Sequence, residues 1–135
     1  EAGVKVLLDT NVLLWWLEDK GRLSPAQRRA IAQASPANPL LVSDVSLWEV
    51  ATLVSLGRVR LSLPIRDWLE RATAPPLVLR QGISPAIAAE TANLPAGLPR
   101  DPADRILVAT ARILGATLLT ADREILESGA AKTIG

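Results

Sequence analysis

The sequence predicts an α/β sandwich around a central, mostly parallel sheet of four to five strands, and three observations point to it. Short apolar runs alternate with helical segments, several of those segments open on a capping residue followed by proline, and acidic residues gather just after the apolar runs.

The elements follow in order. Residues 4–8 form a short, mostly apolar run that ends in Asp9-Thr10-Asn11, three residues that favour helix N-caps, and residues 12–17 continue as helix. Ser24-Pro25 is an N-cap with proline at the first helical position, and Ala26, Ala30, Ile31 and Ala34 form the apolar stripe of the second helix. Residues 40–43 are the second strand. From Asp44 to Leu56 apolar side chains fall on nearly every face, which predicts a helix buried all round with Trp48 in the core. Gly57 ends it. Residues 58–64 are a connector, 65–73 a short amphipathic helix and 77–79 a third strand. Ser84-Pro85 opens another helix, residues 95–102 form a loop, and 103–114 make a second apolar helix stopped by Gly115. Residues 117–119 are a fourth strand, 122–127 a short helix and 132–134 an edge strand.

Composition removes several chemistries. The chain has 135 residues, with 15 Lys plus Arg against 14 Asp plus Glu, and neither Cys nor His. One core spanning residues 1–135 is expected at this length. A thiol nucleophile, a zinc finger, a Ser-His-Asp triad and a histidine acid/base pair are all excluded, so acid/base or metal chemistry rests mainly on Asp and Glu. The longest apolar stretch, residues 12–17, is far below the ~20 residues that span a bilayer, and a cytoplasmic protein with no membrane partner is expected. Of the 15 cations, 12 are Arg, the better bidentate partner for phosphate, so a local arginine patch can serve a nucleic acid despite the small net charge. Arg22, Arg28, Arg29, Arg58 and Arg60 are candidates to line such a path.

Four carboxylates stand out. Asp9 directly follows the first strand and caps the next helix. Glu49 shares a helical face with Val45, Leu53 and Leu56 and turns partly toward the core, unless it closes a capping box with Ser46. In Asp101-Pro102-Ala103-Asp104 the first acid is an N-cap, while Asp104 either complements the positive helix end or, stacked with Val108 and Ala111, points inward. Asp122 follows the fourth strand and caps the last helix. Strand order brings these four acids together with no lysine or histidine obviously placed to neutralise them. Helix N-termini contribute only about 0.3 to 1 kcal/mol each, too little to keep such a cluster ionised. An all-oxygen set selects a hard divalent cation, Mg²⁺ or Mn²⁺, and suits phosphodiester chemistry. Thr120 is placed to orient a metal-bound water, and Asn11 to hold Asp9 or the scissile phosphate.

Leu7-Leu8-Asp9-Thr10-Asn11-Val12-Leu13-Leu14, Ser46-Leu47-Trp48-Glu49-Val50-Ala51, the segment from Arg100 to Ala111, and Leu119-Thr120-Ala121-Asp122 together resemble a PIN domain of the VapC toxin type. The four acids stand in order at separations of 40, 55 and 18 residues. The resemblance implies a PIN-like α/β/α sandwich and an Mg²⁺- or Mn²⁺-dependent endoribonuclease with Asp9, Glu49, Asp104 and Asp122 as its acidic quartet. Asp9 and Asp104 would be the most direct metal ligands. It also implies an RNA substrate, a cognate antitoxin protein and a homodimer. Relatives often carry His just before the Arg-Asp-Pro segment, where this chain has Pro99.

Arg105 is a candidate for contact with RNA phosphate or a neighbouring carboxylate, the alternative being a surface salt bridge. Trp15 or Trp16 is the better candidate for a partner contact. A phosphoryl-accepting receiver would need paired acids after the first strand, and a haloacid-dehalogenase-like phosphatase would need Asp where Asn11 stands. No glycine-rich phosphate loop is present. The remaining alternative is a non-catalytic PIN-like RNA-binding or scaffold protein.

Overall fold

Three residues of β1 (Val6–Leu8) set the layering, because their side chains alternate between two cores. Val6 and Leu8 pack into one cluster with Val12, Leu13 and Trp68, whereas Leu7 packs into the other with Leu107, Val108 and Ile125. The computed structural model describes residues 3–135; Glu1 and Ala2 of the expected 1–135 span lie outside the described residues.

The chain runs β1, α1 (Thr10–Glu18), α2 (Pro25–Ala32), β2 (Leu40–Ser43), α3 (Asp44–Ser55), α4 (Ile65–Ala72) and β3 (Val78–Gln81). It continues with α5 (Pro85–Glu90), α6 (Pro102–Leu114), β4 (Thr117–Leu119), α7 (Arg123–Ser128) and β5 (Thr133–Ile134). The five strands pair in the order β3-β2-β1-β4-β5, and every pairing is parallel. With helices packed on both faces, the inner strands β1, β2 and β4 are buried at every position rather than alternating. The sheet therefore matches the expected class. The helices begin where their caps were read: Asp9, Ser24, Ser84, Asp101 and Asp122 each accept a backbone N–H of the following turn. At the other end of α6, Gly115 takes φ 64°, a left-handed conformation that a β-carbon would strain.

Three expectations are corrected. The third strand is residues 78–81 rather than 77–79, because its ladder with β2 pairs Val42 with Arg80 and Ser43 with Gln81, two polar residues that gave no strand signal. The second helix ends at Ala32, so Ala34 of the expected stripe lies beyond it, and 3₁₀ turns follow at Lys20–Arg22, after the non-helical Asp19, and at Thr91–Asn93. The third correction concerns α3, which is not buried all round. Val45, Ser46 and Val50 are its buried residues, while Trp48 is 64% exposed and Leu56 59%. Trp48 is therefore outside the core, and α3 covers the sheet edge with one face while opening the other to solvent. Trp15 and Trp16, by contrast, are half-buried against the core.

Core position decides the cost of truncation here. Leu107→Ala, at a fully buried site, is expected to lower stability by about 2 to 5 kcal/mol, whereas Trp48→Ala should stay within about 0.5 kcal/mol; urea unfolding of both variants checks this.

Candidate active site

The carboxyl ends of β1, β2 and β4 lie side by side, because β1 is flanked by the other two and all run the same way. Ligand sites of such sheets form beyond these ends. Asp9 sits there, only 6% exposed, with both carboxylate oxygens occupied. Val12 N–H donates to Oδ1 at 2.9 Å and the Thr120 hydroxyl donates to Oδ2 at 2.5 Å. Thr120 Oγ1 also accepts from Asp122 N–H at 3.1 Å, and Asp122 Oδ1 in turn accepts from Ile125 N–H at 3.1 Å. One buried threonine thus ties Asp9 to the turn that carries Asp122. Its position is held from below by Gln27, whose Nε2 donates to the Thr120 carbonyl at 3.4 Å.

Across the site, the next residue of α1 reaches α3. The buried Thr10 hydroxyl lies 3.0 Å from Ser46 Oγ and donates to the Glu49 carboxylate. Ser46 is therefore inside the helix and facing Thr10, not closing a capping box; the N-cap of α3 is Ser43. Asp104 is presented from the first turn of α6, whose N-cap Asp101 accepts from Ala103 N–H at 2.8 Å and Asp104 N–H at 3.3 Å.

The electrostatics show that these groups face one another. Burial pushes the Asp104 carboxyl up to about 7, and repulsion from Asp101, Glu49, Asp122 and Asp9 adds to it. Burial likewise raises Asp9 to about 6 against the hydrogen bonds of Thr120 and Val12, with Glu49 and Asp122 pushing the same way. Glu49 is raised by burial and by Asp101, with the Thr10 hydrogen bond opposing. Among the described residues no cation lies within ion-pair distance of Asp9, Glu49, Asp104 or Asp122. The two ion pairs among the described residues are Arg80 with Asp44 at 3.0 Å and Arg112 with Glu90 at 2.6 Å, both outside the cluster.

The donor set is all oxygen, of one sign and partly desolvated, which fits a hard divalent cation. Among the described residues no three acids are drawn to the spacing of a closed metal shell.

The other predicted residues divide. Thr120 is at the site, where its hydroxyl donates to Asp9 and accepts from Asp122 N–H and so braces both acids. Asn11 is exposed on α1 and its side chain makes no hydrogen bond to Asp9 among the described residues. Arg105 turns away from the acids and donates to the Thr91 carbonyl at 3.0 Å, neither pairing with a carboxylate nor forming a surface salt bridge. Sequence reasoning missed Thr10 and Ser46, although Thr10 lies within the Asp-Thr-Asn signal. It read Asp101 only as a cap, whereas it is also the largest source of repulsion for Asp104.

With five parallel strands, an acidic cluster at their carboxyl edge and flanking helices on both faces, the chain belongs to the PIN domain family, whose profile matches residues 6–130. It is 39% identical over 120 residues to Ribonuclease VapC22 of Mycobacterium tuberculosis, covering 89% of this chain and 88% of that protein. In fold it is similar to VapBC2 from Rickettsia felis bound to a DNA fragment from its promoter, at TM-score 0.71 and 13% identity over 96% of both chains. It is also similar to DNA-bound VapBC from Salmonella typhimurium, at TM-score 0.69 and 19% identity over 98% of both chains. A toxin-antitoxin complex from Klebsiella pneumoniae gives TM-score 0.63 and 18% identity over 97% of both chains. No helix among the described residues is long and apolar enough to cross a membrane.

Raised carboxyl pKa values fix the sign of the pH dependence. Between the ordinary aspartate value of 3.8 and the folded values of about 6 and about 7, the folded state binds more protons than the unfolded one. Stability without metal therefore falls as pH rises through that window. The urea midpoint in EDTA is expected to be higher at pH 5.5 than at pH 8. At pH 8, Asp104→Asn should gain about 1 kcal/mol, a figure already reduced for the solvent screening of this half-exposed group.

Proposed function

We propose that this chain is a divalent-metal-dependent endoribonuclease that hydrolyses RNA phosphodiester bonds, the toxin of a toxin-antitoxin pair. The observation that carries the reading is that Asp9, Glu49 and Asp122 each lie close enough to Asp104 to raise its carboxyl, while neither ion pair among the described residues reaches these acids. The identity with a ribonuclease over most of both chains supports the nuclease assignment. The resemblance in fold to toxin-antitoxin complexes supports a cognate antitoxin as partner.

In this reading Asp9 and Asp104 hold Mg²⁺ or Mn²⁺ directly, and Glu49 and Asp122 complete the site directly or through water. When bound, the ion supplies the charge that polarises the phosphodiester and activates water as the attacking group. The chain's own residues prepare the place. Val12 N–H and the Thr120 hydroxyl fix both oxygens of Asp9 before any ion arrives, which limits reorganisation on binding. Thr10 orients Glu49 from the adjacent helix. Asp104, raised to about 7, is partly protonated near neutrality and would hold a cation only in its ionised form. The protein works in the cytoplasm as a homodimer, and the exposed Trp48, Leu56, Leu77 and Leu79 supply apolar surface for protein contact.

The test is cleavage of a defined panel of tRNA and single-stranded RNA with Mg²⁺, Mn²⁺ or EDTA, comparing the parent with Asp104→Asn. Cuts that require metal and fall at least ~100-fold in the variant are expected. Equal cutting by both proteins would contradict the reading. Metal-independent RNA binding that survives Asp9→Asn without any cleavage would favour the scaffold.

A further inference from the structure

A groove of about 370 Å³ opens between α1, α3 and the connector after α3, lined by Asn11, Trp15, Arg22, Arg58 and Arg60. It shares its two helices with the acidic cluster. Asn11 is two residues past Asp9, and Leu53 on the opposite wall lies one helical turn past Glu49. From Asn11 to Trp15 the groove advances about 6 Å along the axis of α1.

Its charge is unspent. Arg22, Arg58 and Arg60 are all exposed, and neither ion pair of the described residues includes any of them. Arg22 is nonetheless held in place, its guanidinium 4.7 Å from the centroid of the Trp15 ring. That contact occupies one face of the indole, so Trp15 positions a cation rather than offering that face to a base. The connector is anchored too, since Arg58 N–H donates to the Leu53 carbonyl at 3.0 Å. Glu18 and Asp19 close the far end, and Glu18 is engaged by Ser62 N–H, Ser62 Oγ and Trp68 Nε1 at 3.2, 2.7 and 2.8 Å.

From this we infer that Arg22, Arg58 and Arg60 form a phosphate-binding track that holds the RNA strand flanking the cleaved bond, an inference that rests on the nuclease reading above. A cluster of carboxylates repels a polyanion even as it needs one phosphate among them, and a cationic groove walled by the same helices that follow Asp9 and carry Glu49 offsets that repulsion for the neighbouring nucleotides. Guanidinium groups bind phosphate bidentately. Arg29 belongs elsewhere. With Lys132 it lines a separate cavity that includes Val6 and Thr117, the first residues of β1 and β4, at the opposite end of the strands.

The experiment is fluorescence anisotropy of an end-labelled single-stranded RNA of about 12 nucleotides with the full chain in EDTA, over a series of salt concentrations. Arg58→Ala/Arg60→Ala is compared with the parent and with Arg29→Ala/Lys132→Ala, which removes the same charge from the other end. The groove variant is expected to bind at least about tenfold more weakly at low salt. Its slope of log affinity against log salt should fall by about 1.4, or about 0.7 for each phosphate that is no longer neutralised. With Mg²⁺ its KM for cleavage should rise while kcat holds. The control double variant should match the parent throughout. Unchanged binding by the groove variant, with cleavage intact, would overturn the track and leave the nuclease standing. Equal weakening in both double variants, or weakened antitoxin binding alone, would also overturn it. A parent that neither binds nor cuts RNA would overturn both readings.

Discussion

Asp9 is a charged group placed where a protein least tolerates one, at the end of the central strand and almost wholly out of water. Much of the surrounding structure bears on holding it. Its oxygens receive the Val12 amide from the first turn of α1 and the hydroxyl of Thr120, and its own N–H donates to the Leu119 carbonyl at 3.0 Å. Even so, burial outweighs those bonds and holds its carboxyl up at about 6. A group so well supported and still proton-hungry is poised for a stronger positive charge than a hydroxyl and an amide provide.

The fold multiplies the problem rather than relieving it. Parallel pairing of β1 with β2 and β4 directs all three following segments to one edge, and each brings an acid or a helix carrying one. Capping explains why the acids occur there, since Asp9, Asp101 and Asp122 each satisfy amides of a helix start. Capping does not explain Glu49 or Asp104, which lie inside their helices and are turned toward the other acids. The same residues thus serve two ends: local helix chemistry positions them, and their shared burial and repulsion hold the carboxyls of Asp9 and Asp104 well above the ordinary value.

Much of this was legible in the residues. Capping signals are local, so the helix starts at Asp9, Ser24, Ser84, Asp101 and Asp122 could be read from neighbours in the chain. The inward turn of Glu49 followed from helical spacing. What failed depended on contacts between distant segments. The apolar residues around α3 read as full burial, but the sheet and α1 cover only one side of it, leaving Trp48 in solvent. Thr10 and Ser46 meet across 36 residues, and Thr120 reaches Asp9 across 111, with no local pattern to announce either pair. Arg105 looked like a partner for the cluster because of its place beside Asp104, yet one step along a helix rotates a side chain by about 100°, and it is tied to the Thr91 carbonyl instead.

The central claim is that the acids act as one unit whose protons and whose metal compete for the same oxygens. Calorimetric titration of the metal-free protein with Mn²⁺, in buffers of different ionisation enthalpy, measures that competition directly. With Asp104 near 7 and Asp9 near 6, about one proton should leave per ion bound at pH 6.5, and almost none at pH 8.5. Absence of binding, or binding with no proton released at pH 6.5, would contradict the account.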